Sequence, residues 1–140
     1  MNSNRIQFKI FHMYDKENFF IATMSLNKTF DDLMELILDE LEWDFDHLYT
    51  VYCSYTGSTF NTRRKNSIKF SVEPYDDQEY FTTCKLKEMD WEKIKNIYVN
   101  YDYGENHWFE CKIMGFIFEK GVKVKILKSI ERKLDQYGRF

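Results

Sequence analysis

Proline is nearly absent from this chain: Pro74 is the only one, and five glycines complete the list of strong breakers. Long disordered linkers are therefore not expected. Hydrophobic residues make up 44% and aromatics 19%, which is far too apolar for a disordered chain. Cysteine is scarce. Cys53, Cys84 and Cys111 are odd in number, widely spaced and form no CxxC pair. Buried free thiols are the expected reading. A catalytic thiol is the sharper one, but no cysteine sits at a helix start or in basic sequence that favours the thiolate. No apolar run approaches roughly eighteen residues, and no signal-peptide pattern opens the chain, so a soluble, cytoplasmic protein with no membrane partner is expected. At 140 residues the chain is read as a single domain, 1–140, large enough for a core without disulfide or metal staples.

Basic residues are missing over a long stretch. From Thr29 to Thr62 there is no Lys or Arg, while Asp31, Asp32, Glu35, Asp39, Glu40, Glu42, Asp44 and Asp46 all fall there. Glu73, Asp76, Asp77 and Glu79 add a second acidic cluster. The end of the chain reverses the sign, with Lys120, Lys123, Lys125, Lys128, Arg132, Lys133 and Arg139 against Glu131 and Asp135. Net charge is only −3, so the asymmetry bears on partners more than on fold.

Apolar periodicity then gives the elements. Ile6, Phe8 and Ile10 alternate with Gln7 and Lys9, so residues 5–26 read as a β-hairpin turning at Asp15–Asn18. Thr29 with Asp32 makes an acidic variant of the capping box. Phe30, Leu33, Met34, Ile37, Leu38 and Leu41 form one apolar stripe, which predicts a helix over 29–41 packed on a sheet. His47–Tyr55 reads as a strand, Gly57–Asn66 as a turn or flexible loop, and Ile68–Val72 as a short strand stopped by Pro74. Asp76–Glu79 is loop, and Leu86–Ile94 is short and helical at best. Ile97–Tyr103 and His107–Glu119 make a second hairpin around Gly104-Glu105-Asn106. Val122–Leu127 is a last strand, and Ser129–Gln136 a terminal helical turn. The pattern is α+β: an N-terminal β-hairpin, one main amphipathic helix on a twisted mixed sheet in a β-grasp-like arrangement, and a C-terminal hairpin. No internal repeat is present.

Two segments carry a family likeness. Thr29-Phe30-Asp31-Asp32-Leu33 leads to Glu42-Trp43-Asp44-Phe45-Asp46-His47-Leu48-Tyr49, and Tyr101-Asp102-Tyr103-Gly104-Glu105 follows later. In this order they resemble the plasmid pRiA4b ORF-3-like family, over residues 5–55 and 86–118. The resemblance implies a small α+β protein of plasmids, transposons or phages, with no assigned biochemical role. Departures from the family pattern accompany it. Phe19-Phe20-Ile21 stands where the family has Trp-Arg-Arg, and His107-Trp108-Phe109 where it has Trp-x-His. The Pro-Pro-Glu-Asp-Cys-Gly-Gly segment is missing. A polar site shared among those motifs would be largely lost, which favours binding over catalysis.

Three functional readings follow. The first is non-enzymatic: Asp31, Glu35, Asp39, Glu42, Asp44 and Asp46 form an acidic face that docks on a basic partner protein, with the plain alternative of a solvated helix face. A host defence or nucleic-acid-handling protein is the kind of partner that mobile-element association suggests, which would make the chain an anti-defence (anti-CRISPR) inhibitor. The second is nucleic-acid binding through Arg63, Arg64, Lys65, Lys123, Lys125 and Lys128, with Tyr101, Tyr103, Trp108 and Phe109 able to stack on bases. Its alternative is core aromatics and a lysine-guarded edge strand. The third is a small hydrolase or metal-dependent enzyme using His47, Asp102 and His107, against corner and turn residues bonded to backbone. No HExxH, P-loop, nucleophile elbow or dinucleotide fingerprint occurs. No cofactor and no metal is expected, and the sequence leaves the oligomeric state open.

Overall fold

Thr29 starts the main helix for a local reason. In the structure, a computed structural model that describes residues 3–74, 79–121 and 124–137, its hydroxyl accepts from the Asp32 N–H while the Asp32 carboxylate accepts from the Thr29 N–H. That reciprocal cap opens α1, Phe30–Leu41. Glu42 ends it in the left-handed region at φ 61°, and the Trp43 N–H closes back onto the Leu38 carbonyl. Phe30, Leu33, Met34, Ile37, Leu38 and Leu41 are buried as the periodicity requires, and Leu36 widens the stripe. Each such side chain contributes about 1.5–3 kcal/mol by leaving water.

The partner of that stripe is a sheet built from β1 (Arg5–His12), β2 (Phe19–Ser25), β3 (Tyr49–Ser54), β4 (Ser67–Ser71), β5 (Glu79–Phe81), β6 (Asn96–Tyr101), β7 (His107–Ile117) and β8 (Lys125–Lys128). Its order is β5-β4-β3-β6-β7-β1-β2-β8. Neighbours are antiparallel except β4 and β5, which run parallel, so the sheet is mixed. The fold is α+β, with one main helix on an eight-stranded sheet.

Register assigns every strand residue to a face. Ile10 lies opposite Phe20 and Cys111, and Ile97 lies opposite Cys53 and Cys111. These residues and Val51, Val99 and Phe109 join the α1 stripe in one core. The alternate residues, Lys9, Phe11, Tyr52, Lys69, Tyr98, Trp108 and Lys112 among them, lie on the face without α1.

Several segments differ from the sequence reading. Gly57–Asn66 holds a helix, α2 (Phe60–Lys65), where a flexible loop is expected. Thr59 and Thr62 cap it reciprocally, and Arg63, Arg64 and Lys65 suit its C-terminal end. Gly57 sits where a Cβ would meet the Arg63 nitrogen at 2.7 Å, so only glycine lets this helix close. Ser129–Gln136, expected as a helical turn, holds no helix. Distant partners take their backbone groups: the Asn18 side chain accepts from the N–H groups of Glu131 and Arg132, and the Trp43 indole donates to the Leu134 carbonyl. Strand β5 is an addition, paired parallel to β4. The expected strand over 47–55 begins only at Tyr49, leaving His47 in the corner before it.

Candidate functional site: two faces of opposite charge

The acidic segment lies along α1 and the corner after it, and several of its carboxylates hold the fold. Asp31 accepts from the Tyr49 hydroxyl, whose acidity burial weakens first and this carboxylate next. Asp32 is the cap. Glu40 accepts from the Ile130 N–H at 2.9 Å and lies beside Lys133. Asp46 lies 3.2 Å from His47 Nε2. Glu35, Asp39, Glu42 and Asp44 are exposed. A hollow of about 350 Å³ opens between α1 and β8, lined by Asp32, Glu35, Asp39 and Glu40 with Leu36 and Ile126. A wider one of about 590 Å³ brings Asp31, Glu35 and Asp46 around Phe45, Leu48 and Val72.

Of the polar trio, His47 and Asp102 meet and His107 turns elsewhere. His47 Nε2 is 3.3 Å from Asp102 Oδ2 and 3.2 Å from the Tyr137 hydroxyl. Asp102 is buried, and its backbone adopts φ 59°. His107 instead bonds His12, Nδ1 to Nε2, at 3.0 Å. The protons follow from the partners. Tyr14 N–H donates to His12 Nδ1 at 3.1 Å, so the His12 proton is on Nε2 and points at His107 Nδ1. His107 Nε2 then donates to the Gln136 carbonyl at 2.7 Å. The pair is neutral and ties the terminal segment to β1. Burial, then the neighbouring His107, pull His12 down to about 4 against a smaller opposing pull from Asp15. Among the described residues no group of three His, Cys, Asp or Glu is set to hold a metal ion. Burial pushes the Cys53 and Cys111 thiols up, away from thiolate chemistry.

The face away from α1 is basic and aromatic. Lys9 and Lys112 lie directly opposite each other across β1 and β7, and Lys9 is also opposite Ile21, itself opposite Lys128. The next row runs Phe19, Phe11, Glu110, Tyr98, Tyr52, Lys69. Cations cover these rings. Lys9 and Lys128 lie 4.2 and 4.4 Å from the Phe19 centroid, Lys112 is 5.8 Å from Phe11, and Lys69 is 5.7 Å from Tyr52. Arg64 of α2 lies 4.5 Å from the Phe60 ring and 5.1 Å from that of Trp108. Arg63 donates to the Tyr98 hydroxyl at 2.9 Å. Every cation–π contact among the described residues is on this face. Acids share it too: Glu110, buried and bonded to Asn96, Glu79 beside Lys69, and Glu119 against Arg5 and Lys125.

The sheet has a solved counterpart. The crystal structure of a protein of unknown function from Methanosarcina mazei Go1 matches it with a TM-score of 0.68 over 88% of this chain, at 19% identity. This chain spans 66% of that protein's length. At that identity the likeness is one of fold alone. No family model matches the chain, and no curated protein matches it. No helix among the described residues is long and apolar enough to cross a membrane.

Sequence-predicted cations fall partly on the sheet face away from α1. Arg63, Arg64 and Lys65 lie on α2, while Lys125 and Lys128 lie on β8, opposite Thr23 and Ile21. Lys123 is outside the described residues. The stacking set is corrected: Tyr101 and Phe109 are core residues, whereas Trp108 is on the open face and Tyr103 is exposed beside it, bonded to Thr50. Sequence reasoning missed Lys9, Lys69 and Lys112. Their signal was a lone lysine at an outward position between apolar neighbours, in Phe8-Lys9-Ile10, Ile68-Lys69-Phe70 and Cys111-Lys112-Ile113. It also missed His12, which continues the inward series Ile6, Phe8, Ile10.

Proposed function

We propose that this protein binds nucleic acid through the sheet face away from α1. The observation that carries the reading is the Lys9–Lys112 pair. Like charges directly opposite on neighbouring strands are destabilising, and a carboxylate in either place would relieve them. Neither lysine has a carboxylate within ion-pair distance among the described residues. A polyanion lying across the strands offsets that repulsion and releases its counterions. The distance fits. From β8 to β4 the sheet steps through β2, β1, β7, β6 and β3, about 4.8 Å at a time, which gives cations at spacings a nucleic-acid backbone can follow.

The test is retention of labelled single-stranded DNA, RNA and duplex DNA in gel shifts at low salt. Wild type should bind. Lys9→Gln with Lys112→Gln should weaken binding and lower the salt slope by about 0.7 per lysine for a single strand, or about 0.9 for duplex. Binding that ignores both changes would remove the reading.

A second reading keeps the acidic face as a docking surface for a basic protein. The exposed Glu35, Asp39 and Glu42, and the apolar hollow at Phe45, Leu48 and Val72, favour it. A complex of this kind should weaken steeply with salt and disappear when Glu35, Asp39 and Glu42 become lysine. Both readings are non-enzymatic and belong with a cytoplasmic protein. The motif resemblance to the plasmid pRiA4b ORF-3-like family supports a mobile-element origin, and an anti-defence role rests on that origin alone. The antiparallel β1–β2 and β6–β7 pairs around α1 support a hairpin-built, β-grasp-like description.

A further inference from the structure

A hollow of about 360 Å³ lies where α2 meets the open face, lined by Tyr52, Asn61, Arg64, Lys65 and Lys69. Among the described residues its lining holds three cations, one amide and one ring, and no carboxylate. Arg64 is built into it. Its guanidinium packs on Phe60 and Trp108, Trp108 packs on Tyr52 with centroids 5.3 Å apart, and Arg64 bonds Asn61 through Nη2. Arg64 Nε is buried, with no hydrogen-bond partner among the described residues. Lys69 finds no acid among the described residues that line the hollow. Glu79 stands next to Lys69 on the outer strand and bonds Ser71 at 3.4 Å.

We propose that this hollow is a subsite for one nucleotide of a single strand, with the base against the Tyr52–Arg64 surface and the phosphate held by Lys65 and Lys69. The inference rests on the nucleic-acid reading of the face and narrows it. The hollow is of the size that small ligands occupy. Phosphate matches Lys and Arg donors in a carboxylate-free setting. A base can use a ring and a guanidinium plane only when its own faces are free, as in an unpaired strand. Duplex DNA offers the same phosphates but hides its base faces in the stack. Lys9 and Lys112 then hold the backbone, while the hollow at α2 selects the unpaired state.

The experiment uses fluorescence anisotropy of a labelled ten-nucleotide strand and its duplex, with NMR titration of adenosine monophosphate and of inorganic phosphate. Wild type should prefer the single strand over the duplex. Tyr52→Leu should weaken the single strand about tenfold, Tyr52→Phe should restore it, and neither should change the salt slope. Lys69 is exposed, so Lys69→Gln leaves the fold intact. That change should shallow the slope and weaken both forms. Adenosine monophosphate should shift the Tyr52, Arg64 and Lys65 amides more than phosphate alone does. Equal affinity for strand and duplex, with Tyr52→Leu indifferent, would overturn the subsite. If Lys9→Gln with Lys112→Gln still weakens binding in that case, the face survives and only the hollow is lost. Absence of all binding removes both.

Discussion

Lys9 and Lys112 show how single residues divide stability from function. Their side chains face each other on a surface where almost any other pair would cost less. Lys112→Glu turns the repulsive pair into an attractive one. It should raise unfolding free energy by about 0.2–1 kcal/mol in urea titration, while nucleic-acid binding falls. A variant that gains stability and keeps its binding would show that the lysines serve only solubility. Outward lysines were legible residue by residue, because each interrupts an apolar strand. Their juxtaposition was not. It depends on a register shift between Gln7 and Phe8, where β1 passes from Gly115 to Ile113, and no local pattern marks that bulge.

Elements that carry their own instructions were read correctly, and those that borrow them were not. Helix α1 has cap, stripe and stop within its own residues, and Leu33→Ala should destabilise by about 2–5 kcal/mol in chemical denaturation. Helix α2 is too short to show a stripe, and its Thr59–Thr62 cap sits in a run of Ser, Thr and Gly that reads as loop. Strand β5 exists because β4 offers it an edge. The terminal segment forms no helix, and Asn18, Trp43 and His107, all distant in sequence, hold it. Of the polar trio, proximity of motifs placed His47 near Asp102, but the missed His12 decides where His107 points. That histidine pair makes the terminal segment sensitive to acid. His12 titrates near 4 when folded and at 6.5 when unfolded, so the unfolded chain binds the proton more tightly. The His12 contribution to stability is complete above pH 6.5 and is lost as pH falls toward 4, to a limit of about 3 kcal/mol. Urea midpoints at pH 7 and pH 4.5 should differ more in wild type than in His12→Gln. An equal difference in both would mean that carboxylates alone set the acid response.

At the scale of the molecule, the sheet acts as a partition. Acids crowd the helix side and cations the open side, so a net charge of −3 conceals two surfaces with opposite preferences. The same sheet has a second property, visible in its strand order. The strand synthesised first, β1, is interior: β2 covers one edge, but the other edge is covered by β7, which begins at His107. During translation one edge of β1 must therefore wait, its backbone groups unpaired, until the chain as far as β7 has left the ribosome. Contacts this distant in sequence belong to folding on the millisecond-to-second scale, which stopped-flow refolding can measure. A nascent chain halted before β7 presents a bare strand edge to its neighbours, and truncation at that point should yield aggregates instead of a smaller soluble fold.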